Sequence, residues 1–119
     1  MRLVTHCLAG VFCLKLLGIS DFFSVVLCVI GSVIPDLDIS LGLKHRTLSH
    51  SLIFILPCFL FLPFGVGVSV HVLLDLLTPT GCVLFFPRRD WFILFGAPLK
   101  TGVHDSFVCT LLIGGFCCL

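Results

Sequence analysis

Apolar runs separated by short polar ones set the plan of the chain. Residues 3–18 are apolar apart from Thr5, His6 and Lys15, and 22–34 carry no charge. The pattern predicts a first helix over about 3–18, closing near Gly18 and Ser20. A second should run over about 22–34, stopped by Pro35, whose ring and missing amide disfavour a helix interior. The polar stretch "PDLDISLGLKHRTLSHS" follows, and then 52–70 is again uncharged. One straight helix there would be about 30 Å long and would set His50 and His71 on opposite sides of a bilayer. Pro57, Pro63, Gly65 and Gly67 interrupt it, so a hairpin turning near Pro63–Gly67 is expected instead. Its arms of about 14 residues span only about 21 Å, and His71 returns to the side of His50. After "TPTG", the runs "CVLFFP" and "DWFILFG" flank Arg88 and Arg89 and suggest a small β-hairpin or an interfacial loop. Trp91 there suits the headgroup level. A last apolar run covers 106–119. The expected fold is an all-α membrane protein: a single domain over 1–119, with about four short transmembrane or half-spanning helices.

Composition strengthens the membrane reading. Of 119 residues, 59% are hydrophobic and 11% charged, against about 25% charged in an ordinary soluble domain. So few charges cannot coat a core with polar surface. The formal net charge of +1 gives no reason to expect nucleic acid. Arg2 would suit the basic start of a cleaved leader, but Lys15 interrupts the apolar run and no small-residue cleavage site follows cleanly, so a retained first helix is expected. Eight cysteines form no C-x-x-C pair and mostly lie in apolar runs, where cysteine packs as a small hydrophobe. Cys117 and Cys118 are candidates for acylation, although "FCCL" does not fit the prenylation signal.

The six acidic residues are all aspartates, and their placement raises the chemistry. Ionisable side chains are costly near a bilayer. Yet His6, Asp36 with Asp38, His45 with Arg46 and His50, and His71 with Asp75 all come to one membrane side on the hairpin topology. His71 and Asp75 stand four apart on one helical face, with about 5–6 Å between their Cβ atoms. An imidazole and a carboxylate at that spacing can share a cation such as Zn²⁺, with positions left for water. Plainer roles exist for each group. Asp36 could cap a helix while Asp38 is solvated, His6 could be a neutral core histidine, and His71 could simply hydrogen-bond Asp75. Arg46 could be a positive-inside anchor. His104 reads as solvated or interfacial.

Taken in order, these pieces resemble the YdjM-like, LexA-regulated inner-membrane metal-dependent hydrolases. That family pairs an early helical His with P-D-x-D, then H-R-x-x-[ST]-H-S, then H-x-x-x-D-x-x-T-x-x-G and an aromatic stretch ending in Pro. Here they are His6, Pro35-Asp36-Leu37-Asp38, His45 through Ser51, His71 through Gly81, and "FFP". The resemblance implies one or two divalent ions, zinc by type, held by His6, Asp36, Asp38, His50, His71 and Asp75. It makes His45 and Arg46 contacts to metal or to a substrate phosphate. It also expects a late acidic residue, for which "KTGVHDS" offers Asp105. A more distant likeness is to the zinc-dependent phospholipase C and nuclease superfamily.

The expected function is membrane-bound, metal-dependent hydrolysis of a phosphoester or lipid headgroup. Asp36 or Asp38 would serve as general base and Arg46 would hold an anionic oxygen. Membrane lipids and an anionic substrate are the expected partners. Two other classes compete: an ion or proton transporter, whose groups would line a path to the midplane, and a shortened, non-catalytic metal-binding member. Orientation follows from basic residues. Arg2, Lys44, Arg46, Arg88, Arg89 and Lys100 share the motif-bearing side, against Lys15 opposite. The site is therefore expected to face the cytoplasm of a multi-pass inner-membrane protein.

Overall fold

A computed structural model describes residues 3–94 and 103–118, without the side chains of 103–107 and 116. The helices are α1 (Leu3–Leu16), α2 (Phe22–Val33), α3 (Leu37–Ser40), α4 (Leu52–Cys58), α5 (Leu62–Leu76) and α6 (Val103–Cys118). Single 3₁₀ turns occupy Ile34–Asp36 and Leu48–His50. Asp21 caps α2 by accepting the Ser24 amide at 2.9 Å. That bond holds the Asp21 carboxyl below the usual carboxylate range.

α5 is the hub. It packs most extensively on α2 and then on α1, while α4 folds back on it and α6 lies against α1. The packing is inverted relative to a water-soluble bundle. α2 buries Cys28, Gly31 and Ser32 and exposes Phe22, Phe23, Val26 and Ile30. Small residues inside and large apolar residues outside are what helices in lipid require, because close backbone approach, rather than removal of oil from water, holds them together. The approach is extreme at two glycines. A Cβ on Gly67 would lie 2.1 Å from the Cys28 carbonyl oxygen, and one on Gly31 would lie 2.3 Å from that of Phe64.

Several sequence expectations are corrected. α1 closes at Leu16 rather than 18. Pro35 does not stop the second helix; it sits in the first positions of a 3₁₀ turn, where an absent amide costs little, and helical backbone continues to Ser40. Phe22–Ser40 is long and apolar enough to cross a membrane, while α1 and α5 are shorter apolar helices. The hairpin in 52–70 turns at Phe59–Phe61, just beyond Pro57, not at Pro63–Gly67. Pro63 falls in the first turn of α5, and the two glycines serve packing instead. Of the two expectations for the stretch after "TPTG", a β-hairpin or a loop, the hairpin does not form as paired strands: among the described residues there is no strand, only one antiparallel bridge between Cys82 and Phe92. The 82–84 run spends its other backbone groups elsewhere. The Val83 amide donates to the Arg46 carbonyl (2.9 Å), and the Leu84 carbonyl accepts from the Leu52 amide (2.8 Å). The basic residues Arg2 and Lys100 lie outside the described residues.

Candidate metal centre

The hub helix carries the centre of the site. His71 and Asp75, one turn apart near the C-terminal end of α5, are both buried. The start of α1 brings His6, the 3₁₀ turn after α2 brings Asp36, and the turn before α4 brings His50. The polar ends of these elements thus meet at one end of the bundle. The His6 and His71 rings stack with centroids 3.9 Å apart, and the His50 ring lies 5.2 Å from that of His71.

Asp75 is the common member. Its Oδ1 is 3.5 Å from His6 Nε2 and 3.3 Å from Arg46 Nη2, and its Oδ2 is 3.3 Å from His50 Nε2 and 3.7 Å from His71 Nε2. Asp36 Oδ1 lies 3.3 Å from His71 Nε2 and 3.7 Å from His45 Nε2. Two sets of ligand atoms result, each within 4.8 Å of one another: Asp36, His45, His50 and Asp75; and His6, His71 and Asp75.

The ring nitrogens test whether these residues fit a cation. His6 Nδ1, His50 Nε2 and His71 Nε2 are buried without a hydrogen-bond partner. For His50 and His71 a carboxylate oxygen is 3.3 Å away, yet the ring does not direct an N–H at it. An unpaired buried polar atom costs about 1–3 kcal/mol, and three together are hard to sustain unless something accepts their lone pairs. The other nitrogen of His71 is fixed: Nδ1 is 2.6 Å from the Ser32 carbonyl oxygen. That oxygen can only accept, so Nδ1 carries a proton, and in the neutral ring Nε2 keeps its lone pair, the arrangement of a metal-ligating histidine. Burial lowers the His50 pKa below the ordinary imidazole value, favouring the neutral ring. Among the described residues no cysteine joins either set, and burial pushes the nearby Cys82 thiol up to about 12. The donor set of imidazoles and carboxylates fits a divalent first-row ion.

Asp38, grouped with Asp36 in the sequence reading, occupies a different place. It is buried, and its oxygens contact His45 Nδ1 (2.8 Å), the Ser49 hydroxyl (2.6 Å) and the Arg46 amide (3.2 Å). It therefore stands behind His45 and outside both ligand sets, while His45 joins one of them. Arg46 is also committed: its guanidinium donates to Asp75, Thr78 and Thr80. Its φ of 63° is left-handed, a conformation that costs a side-chain-bearing residue about 1–2 kcal/mol. The bonds from its amide, carbonyl and guanidinium compensate. The Asp105 side chain lies outside the described residues.

Ser32, Ser49, Thr78 and Thr80 were not singled out from sequence as structural supports. Ser49 and Thr78 stand within the quoted motifs, and their hydroxyls, spaced among histidines and aspartate, were the available signal. Ser32 acts through its backbone, and no side-chain pattern signals that.

A family model described as YdjM inner membrane protein matches residues 1–115. No curated protein and no solved structure matches the chain.

Proposed function

The chain belongs to the YdjM inner membrane protein family, and from that premise we propose that it is a metal-dependent phosphoester hydrolase of the membrane surface. The observation that carries the proposal is the pair of buried, unpartnered nitrogens His50 Nε2 and His71 Nε2, each 3.3 Å from a carboxylate oxygen of Asp75 or Asp36, with His6 Nε2 3.5 Å from Asp75. His6, His71 and Asp75 would hold one ion, and Asp36, His45, His50 and Asp75 a second, with zinc the natural choice for this donor set. A bound ion supplies Lewis-acid polarisation of the phosphoryl group and makes water a better nucleophile near neutral pH.

The protein's own groups divide the remaining work. Asp36 and His45 have side chains about a third exposed, while those of His6, His50, His71 and Asp75 are at most 2% exposed. Substrate and water therefore enter past Asp36 and His45. Asp36 is the carboxylate on that open side and takes the proton from attacking water. Asp38 orients His45 through Nδ1, leaving Nε2 directed toward Asp36. Arg46 is a positioning residue, holding Asp75 as a carboxylate through a charge-assisted bond. Clustering at one end of the helices, rather than along their length, favours hydrolysis over transport. We place the chain in the membrane as a multi-pass protein with this end toward the cytoplasm.

The test is metal analysis of purified full-length protein, followed by a panel of phosphoesters. Bound divalent metal, removed by chelator together with hydrolysis, is the expected result. Protein that takes up no metal after loading with zinc or manganese would refute the proposal.

A further inference from the structure

Two cavities flank the loop that carries His45 and Arg46, and neither is used by the reading above. One, of about 210 Å³, is apolar; Ile34, Leu37, Leu41, Leu43, Leu48 and Phe54 line it. Its polar lining includes Asp38 and Ser49, the pair that also holds the His45 loop. The second, of the same volume, is bounded by Lys44, Arg89, Trp91 and Phe86. Lys44 and Thr47 line both, so the two are neighbours across one residue pair.

The chemistry changes sharply at that boundary. On one side are aliphatic side chains continuous with the outward-facing leucines 41, 43 and 48. On the other are two cations and an indole, with Lys44 Nζ 5.5 Å from the centre of the Trp91 ring. Among the described residues, no carboxylate lines the cationic cavity. Lysine and arginine facing one cavity without a counter-charge recognise an anion, and an arginine fork suits a phosphate. Tryptophan and lysine together mark headgroup depth.

We propose that this pair of cavities binds one anionic phospholipid, with its phosphate between Lys44 and Arg89 and an acyl chain in the apolar cavity. Resting on the hydrolase reading, this makes an acidic membrane lipid the substrate class. The acyl chain lies against the leucines and Phe54, and the Asp38–Ser49 edge of the cavity leads toward His45.

Trp91 is the chain's only tryptophan and sits at the proposed headgroup, so its fluorescence reports occupancy. Delipidated full-length protein in neutral detergent would be titrated with phosphatidic acid carrying brominated acyl chains. Phosphatidylcholine with the same chains is the comparison. Saturable quenching by the acidic lipid, well beyond that of the zwitterionic one, is expected. Lys44 and Arg89 are exposed, so neutralising them is compatible with folding. Lys44→Ala with Arg89→Ala should weaken binding about twenty-five-fold, at about fivefold for each charge. Glycerol phosphate, which has the head without the chain, should compete poorly. Equal quenching by both lipids, no effect of the double substitution, or competition by glycerol phosphate as good as by the lipid would each overturn the proposal. Running the titration in chelator and with Asp75→Asn separates it from catalysis. Lipid-selective quenching without hydrolysis under any metal supports the lipid site and removes the hydrolase. Hydrolysis of soluble phosphoesters without lipid-selective quenching does the reverse.

Discussion

Gly67→Ala should damage the metal centre from within a helix contact. The added Cβ would meet the Cys28 carbonyl oxygen at 2.1 Å and the Ser32 amide nitrogen at 2.9 Å. Both neighbours are backbone atoms of α2 and cannot rotate away. A carbon–oxygen contact settles at about 3.3 Å, so α2 and α5 must part by roughly 1.2 Å along that direction. Overpacking of this kind costs about 1–3 kcal/mol, and the better helix propensity of alanine returns at most about 1 kcal/mol. The same displacement stretches the 2.6 Å contact from His71 Nδ1 to the Ser32 carbonyl. Loss of a supporting bond behind a ligand costs about 10–100-fold in metal affinity. The assay is zinc titration of full-length protein in detergent, with thermal unfolding measured on the metal-free form. Gly114→Ala is the control, since nothing lies within 4 Å of a Cβ built there, and it should leave both quantities unchanged. Wild-type zinc affinity and wild-type unfolding in Gly67→Ala would refute the claim that this close approach sets His71.

Three further outcomes are expected. Asp75→Ala, which removes the residue common to both ligand sets, should abolish metal binding, whereas Asp38→Asn should weaken it about 10–100-fold and the exposed Asp90→Ala should do nothing; calorimetric titration of the three ranks them. Arg46→Lys should lower hydrolysis and metal affinity together, because an ammonium lacks the fork that reaches Asp75, Thr78 and Thr80 at once; turnover equal to wild type would contradict the positioning role. A cysteine placed at Ser40, with exposed native cysteines controlled for, should be shielded from a membrane-impermeant thiol reagent in intact cells; ready labelling from outside would reverse the orientation.

The chemistry was more legible in the sequence than the backbone that delivers it. His71 and Asp75 announce themselves because helical spacing fixes which side chains face together, and the cost of ionisable groups in an apolar chain flags the rest. Pro35 and Pro63 misled for a shared reason. Proline ends a helix only when its amide is needed, and both occupy opening positions of a helical turn where it is not. Gly65 and Gly67 look like turn residues in isolation; the close approach of α2 that Gly67 permits is a tertiary fact. Asp36 and Asp38, two residues apart, are indistinguishable as letters. The tightening of the chain at Pro35 leaves one on the open side and buries the other behind His45.

The left-handed backbone at Arg46 has a consequence for how the site opens. That single residue ties three separate stretches of chain together. Its amide reaches Asp38, its carbonyl takes the Val83 amide, and its guanidinium grips Asp75 and the two threonines beyond it. His45 precedes it directly and His50 follows within a turn and a half of chain. The segment bearing both histidines is thus held at Arg46 and again by the Asp38 contacts to His45 and Ser49, and since Asp38 also takes the Arg46 amide, these ties share one carboxylate and are expected to release together. Opening should be all-or-none. In hydrogen exchange on metal-free protein, the amides of Arg46 and Val83 should gain and lose protection together, as a single cooperative unit.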